Sequence, residues 1–311
     1  MPRRHAVLSG LIFLLVVMIT VWSLARSEAQ TTTPADPTSG QPAREVRVNS
    51  VAALERLFGK LDYDWPIRPG QGVPPVIIHR LPADFTAIAD TDRRKSLFVR
   101  AILPIAMAEN RRLREQRALA SLLANVPPTQ LPEARLDWLR DISERYRIGW
   151  QPPLDPATRR RLMRRLDALP NSLVMVQAAI ESGWGTSRFL QEGNGLFGQW
   201  TWVEGSGIVP RDRPEGASHE VKAFASLRDS LRAYLHNLNT GRPYRRLREI
   251  RWALRQRGEP LDPALLAAGL VQYSERGPAY VADVRRMLDT PPFQHLDSVS
   301  LRDAADLSID G

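Results

Sequence analysis

The sequence predicts a mainly helical α+β protein carrying one small β-hairpin lobe. Between residues 50 and 290, apolar residues return at three- and four-residue steps in segment after segment. One stretch, "GIVPRDRPEGASHEVKAFAS", has no such period and instead shows Gly, Pro and Asp punctuation with a short alternation in "HEVKAF". A third observation is negative: no repeat of fixed period runs along the chain.

Taken in order, "MPRRH" leads into twenty uncharged residues, Ala6 to Ala25. About 20 apolar residues span a bilayer, and Arg3 and Arg4 fit insertion with the N-terminus in the cytoplasm. Residues 1–29 are therefore expected to be a signal anchor, or a signal peptide cut after Ala29. Either sends the remainder across the membrane, to the cell envelope. Residues 30–49, rich in Thr, Pro, Ser and Ala, lack the apolar surface to fold and read as a flexible linker.

A helical N-terminal region is predicted over 50–155. Val51, Leu54, Leu57, Phe58 and Leu61 share one face, "GVPPVIIHRLP" reads as extended, and "TDRRKSLFVRAILPIAMAENRRLREQRALASLLANV" reads as a long helix kinked at Pro104. A further helix is placed at "LPEARLDWLRDISERY". The second region, 156–290, opens with the Asp-Pro helix start of "DPATRRRLMRRLDALP". After the irregular stretch, helices return at "SLRDSLRAYLHNLN", "YRRLREIRWALRQRG", "DPALLAAGLVQYS" and "PAYVADVRRML". Residues 291–311 read as a polar, loosely ordered tail.

Composition narrows the function. With no cysteine there is neither a disulfide framework nor a thiolate metal site. The five histidines show no ligand spacing, so no metal or other cofactor is expected. His219 and His236 read as structural. A net charge of +9 favours anionic partners, but an exported domain seldom meets nucleic acid, and the arginine runs read as solvated faces or as attraction to membrane and wall polymer. A monomer is expected.

The chemistry concentrates in "VQAAIESGWGTSRFLQEGNGLFGQW", Val176 to Trp200. Here a mostly apolar helix ends on one acid, Glu181, beside Gly183 and Gly185. A carboxyl half-buried among apolar groups and indoles holds its proton above the ~4.3 of free glutamate. A general acid in glycoside hydrolysis needs that property. Trp184, Phe197, Trp200 and Trp202 offer flat faces for sugar rings. The plainer alternative, a solvated helix-end glutamate beside core aromatics, stays open on the residues alone.

That segment closely resembles the pattern of the bacterial glucosaminidases of glycoside hydrolase family 73, which include the flagellar peptidoglycan hydrolase domain. "KSLFVRAILPIAMAENRRL", "GIVPRDRPEGASHEVKAF", "RAYLHNLNTGRPYRRLR" and "YSERGPAYVADVRRM" are similar to the Bax-type branch, so the likeness spans roughly Val73 to Leu288. It implies a lysozyme-like fold and cleavage of β-1,4 bonds in peptidoglycan on the N-acetylglucosamine side, with glycan strands as the partner and Glu181 as proton donor. A second carboxylate is expected in the hairpin lobe, where Glu220 in "SHEVKAF" leads Glu204 and Glu215; without one, the substrate's acetamido oxygen attacks instead. "YSERGPAYV" is similar to the family's tyrosine motif but departs from it at Ser274-Glu275-Arg276, so either Tyr273 or Tyr280 is expected to bind substrate or hold Glu181. A muramidase or lytic transglycosylase of the same fold, and an inactive wall-binding scaffold, are the competing expectations.

Overall fold

The computed structural model describes residues 43–303, apart from residues 69, 150–154, 212, 214 and 215. The apolar run at 6–25 and the predicted linker up to residue 42 lie outside the described residues. Strand β1 (Arg44–Val46) pairs in parallel with β2 (Val76–Ile78), Arg44 opposite Val76. The predicted linker therefore stops short of residue 49. Val76–Ile78 is buried throughout, and its backbone polar groups need the partner that β1 supplies.

Helix α1 (Val51–Lys60) starts where the Ser50 hydroxyl accepts from the Ala53 N–H at 3.2 Å, and it buries Val51, Leu54, Leu57 and Phe58. Helix α2 (Thr91–Leu123) starts at Asp90, whose carboxylate accepts from the Asp92 and Arg93 N–H groups. It continues through Pro104, where the sequence predicts a kink. From Leu97 to Asn110 every residue but Arg100 is buried. A helix apolar on all sides belongs at the centre of a fold, and α2 is that centre.

Helix α3 (Glu133–Arg145) is followed by α4 (Pro156–Arg165), which begins as predicted: Asp155 accepts from the Ala157 and Thr158 N–H groups at 2.8 and 2.9 Å. Helix α5 (Asn171–Ser182) packs chiefly on α2. After the short α6 (Arg188–Gly193) comes a three-stranded antiparallel sheet in the order β3 (Trp200–Thr201), β5 (Glu220–Lys222), β4 (Gly207–Ile208). Helices α7 (Leu227–Thr240), α8 (Arg245–Gln256), α9 (Pro263–Ala267), α10 (Pro278–Leu288) and α11 (Pro291–Gln294) complete the chain. The mainly helical architecture with a small β lobe is the one the sequence predicts.

Of the predicted tail, residues 291–303 are docked, not loose, and residues 304–311 lie outside the described residues. Phe293 and Leu296 are buried. Leu301 bridges to Val73, and Arg302 donates to the carbonyls of Leu61, Asp62 and Gln71. Asp297 accepts from both the N–H and the hydroxyl of Ser172. The physical reason lies in α5: Pro170 at its start offers no side-chain cap, so Asp297 satisfies an N–H that the helix leaves without a partner.

One buried charge cluster ties the early helices to the later ones. Glu109 of α2 is fully buried and accepts from Arg112 at 2.9 Å, Arg228 at 2.5 Å and Arg232 at 2.8 Å, the last two on α7. Among the described residues no helix is long and apolar enough to cross a membrane, and no cluster of acids and histidines could hold a metal ion.

Candidate active site

The site begins with how α5 ends. Gly183 adopts φ +57°, with its N–H on the Ile180 carbonyl and the Trp184 N–H on Ala179. This is the paired arrangement that closes a helix on a left-handed residue. The Ser182 hydroxyl fastens the turn by donating to Ala178 at 2.6 Å and accepting from the Gly185 N–H at 3.1 Å. Gly185 has φ +89°, and a Cβ there would sit 2.7 Å from the Phe85 ring. The glycine frame thus brings the turn hard against the early helical region and leaves Glu181 in the last turn of α5, half-buried.

Hydrogen bonds aim at that acid. The Tyr234 hydroxyl donates to Gln177 Oε1 at 2.6 Å, Gln177 Nε2 donates to the Tyr280 hydroxyl at 3.0 Å, and Tyr280 donates to Glu181 Oε1 at 2.8 Å. With Oε1 occupied as an acceptor, the other oxygen is the one able to carry a proton. Burial raises the Glu181 pKa above the ordinary glutamate value, and only the Tyr280 hydrogen bond works against it. No cation contributes. Tyr273 stacks on Tyr280 with ring centres 5.4 Å apart. Burial and then the Glu181 charge raise the Tyr273 pKa, so the phenol stays neutral.

Glu181 opens into a cleft of about 1140 Å³ whose lining includes Phe197, Trp200, Trp202, Asn237, Tyr244 and Tyr273. Phe197 is buried and stacked on Tyr234 at 3.8 Å. Trp200 is 54% exposed with one face against His219 at 4.6 Å, and Trp202 is 70% exposed. Three predicted substrate contacts, Phe197, Trp200 and Tyr273, therefore share the cleft with the acid. Tyr280 is buried and grips Glu181 instead.

Two predicted residues stand elsewhere. Trp184 is not among the residues lining the cleft; its indole packs between Phe98 and Phe293, each 5.9 Å away, under the Lys95 ammonium. Its φ of +57° turns it from the end of α5 into the core. Glu220 is 5% exposed and also absent from the cleft lining. One of its oxygens accepts from the Gly205 N–H at 3.1 Å and the other from Gly207 at 2.8 Å. Of the rivals considered for its place, Glu204 is exposed and Glu215 lies outside the described residues.

Comparison with known proteins bears on this geometry. The Glucosaminidase family model, described as mannosyl-glycoprotein endo-beta-N-acetylglucosaminidase, matches residues 157–290. Residues 157–290 are a glucosaminidase-family domain. The chain is also similar to Protein bax of Escherichia coli (strain K12), 30% identical over 190 residues, or 60% of this chain and 66% of that protein. It thus spans just under two thirds of that relative's length. No solved structure matches at a significant level. The Bax-type likeness read from the motif is therefore the one found.

Sequence reasoning missed Gln177 and Tyr234, which orient Tyr280, and the cleft residues His236, Glu275 and Arg147. Gln177 lies one turn before Glu181 on α5, and that i, i+4 spacing was the available signal. Arg147 sits before the family domain and carried none.

Proposed function

We propose that the protein is a peptidoglycan hydrolase, an endo-β-N-acetylglucosaminidase that cleaves β-1,4 bonds of the cell wall, with Glu181 as general acid. The observation that carries this reading is a half-buried carboxyl, its pKa raised by burial and its oxygen held by Tyr280, at an aromatic-lined cleft of about 1140 Å³. Glu181 gives its proton to the bridging oxygen as the bond from that oxygen to the anomeric carbon breaks. Because the Glu220 oxygens are taken up by two backbone N–H groups, attack on the anomeric carbon is assigned to the substrate's own acetamido oxygen. Water then opens that ring, giving a proton back to Glu181. The apolar run Ala6–Ala25 suits delivery to the cell envelope, as an anchored or released protein facing the wall.

Mass spectrometry of purified sacculi digested with the protein tests the reading. N-acetylglucosamine at the new reducing ends is the expected product. Anhydro-muramic acid ends would replace it with a lytic transglycosylase, reducing muramic acid ends with a muramidase, and undigested sacculi with a wall-binding scaffold.

A further inference from the structure

The cleft is not built by the family domain alone. Arg147, ten residues before the matched segment begins, lines it together with Lys222 of β5 and Arg276. Arg276 is engaged with Asp283, whereas Arg147 and Lys222 are exposed and make no ion pair among the described residues. Among the described residues of the lining, two carry carboxyl groups, Glu181 and Glu275. The three cations Arg147, Lys222 and Arg276 outnumber them by one, so the described lining faces the ligand with an excess of positive charge.

Arg147 is also placed at some cost. Its φ is +56°, a left-handed conformation that crowds a residue with a Cβ and that glycine adopts freely. Arg165 locks the turn by donating to the Tyr146 and Arg147 carbonyls at 2.9 and 2.8 Å. Among the described residues no acid pairs with the Arg147 side chain, which lines the cleft. The positive field reaches His236 in the same lining, whose pKa is lowered by burial first and then by Arg147 and Arg145.

We infer that Arg147, with Lys222, binds carboxylates carried on the muramyl side chains of the glycan, so that the cleft prefers acidic wall strands to neutral amino-sugar polymer. This rests on the reading above and adds the chemistry by which the substrate class is chosen. The carboxylate has two sources: the stem peptide, or the lactyl group left when the peptide is removed. A guanidinium suits either, through paired charge-assisted hydrogen bonds.

Binding separates these cases. In the full chain carrying Glu181→Gln, titration calorimetry compares three ligands: chitohexaose, peptide-stripped glycan strands and peptide-bearing strands. The expected result is tighter binding of one or both acidic strands than of chitohexaose, weakening with added salt. Adding Arg147→Gly, which suits the left-handed backbone, with Lys222→Gln should cut that preference by about tenfold. Arg147→Lys should restore part of it. Tight binding of stripped strands assigns the lactyl carboxylate, and binding confined to peptide-bearing strands assigns the stem. Equal affinity for all three ligands, or a preference that these variants leave unmoved, overturns the inference while leaving the hydrolase reading intact. Binding of none of the three overturns both.

Discussion

Tyr280 bears directly on the general-acid role proposed for Glu181. Its hydroxyl donates to Glu181 Oε1, which favours the charged carboxylate and opposes the rise caused by burial. A general acid works in its protonated form, so activity falls as pH rises through its pKa. Tyr280→Phe removes the only hydrogen bond that lowers this pKa. The alkaline limb of kcat/KM should therefore move to higher pH, and a limb that stays or moves down would contradict this assignment. The same change leaves the buried Gln177 Nε2 without an acceptor, so the melting temperature should also fall, by the equivalent of about 1–3 kcal/mol. The acid itself was legible in the sequence, as a single carboxylate at the glycine-marked end of an apolar helix. Its support was not, because Gln177 meets a tyrosine 103 residues away, and residue types carry no record of such pairings.

Helix α5 works as a site because both its ends are fixed from outside. Asp297 caps its start, and at its other end Gly185 lets the turn close on Phe85. Gly185→Ala combines a Cβ 2.7 Å from a buried ring with a left-handed backbone. A loss of about 2–4 kcal/mol is expected, measured by denaturant unfolding, and a loss below about 0.5 kcal/mol would refute the close approach. The start signal at Asp155 could be read correctly because capping is local: its carboxylate accepts from the N–H groups of Ala157 and Thr158, two and three residues on. The hairpin shows where local reading fails. Glu220 was expected opposite Glu181, yet in the short β4–β5 pairing its carboxylate satisfies the Gly205 and Gly207 amides. Trp184 misleads similarly, since its left-handed backbone sends a ring expected in the cleft into the core.

Across the molecule, the helical N-terminal region shares its core with the family domain: Phe85, Phe98 and Ile102 belong to the same buried cluster as Leu173, Val176 and Val284. Glu109 is the polar counterpart of that union. Burial alone would raise its pKa, but the Arg232 hydrogen bond and the charges of Arg112, Arg232 and Arg228 outweigh it, and the carboxyl is held below its ordinary value. Such a group stabilises the fold fully above the ordinary glutamate pKa, and the contribution is lost as pH falls through the lowered one. Glu109→Ala should cost about 2–4 kcal/mol near neutrality, moderated because the three guanidiniums keep contact with solvent. The gap between the variant and the unaltered chain should narrow in acid unfolding curves; a gap constant with pH would contradict the ion cluster. This union was not legible, since Glu109 and Arg232 are 123 residues apart. The claim on which the whole account turns is that one carboxyl in the shared cleft does the chemistry. The most direct test is the rate at which reducing ends appear in purified sacculi exposed to the full chain and to Glu181→Gln, with both shown to be folded by their melting curves. A loss of at least about 100-fold is predicted, and a variant that keeps its rate within a few-fold would contradict the account.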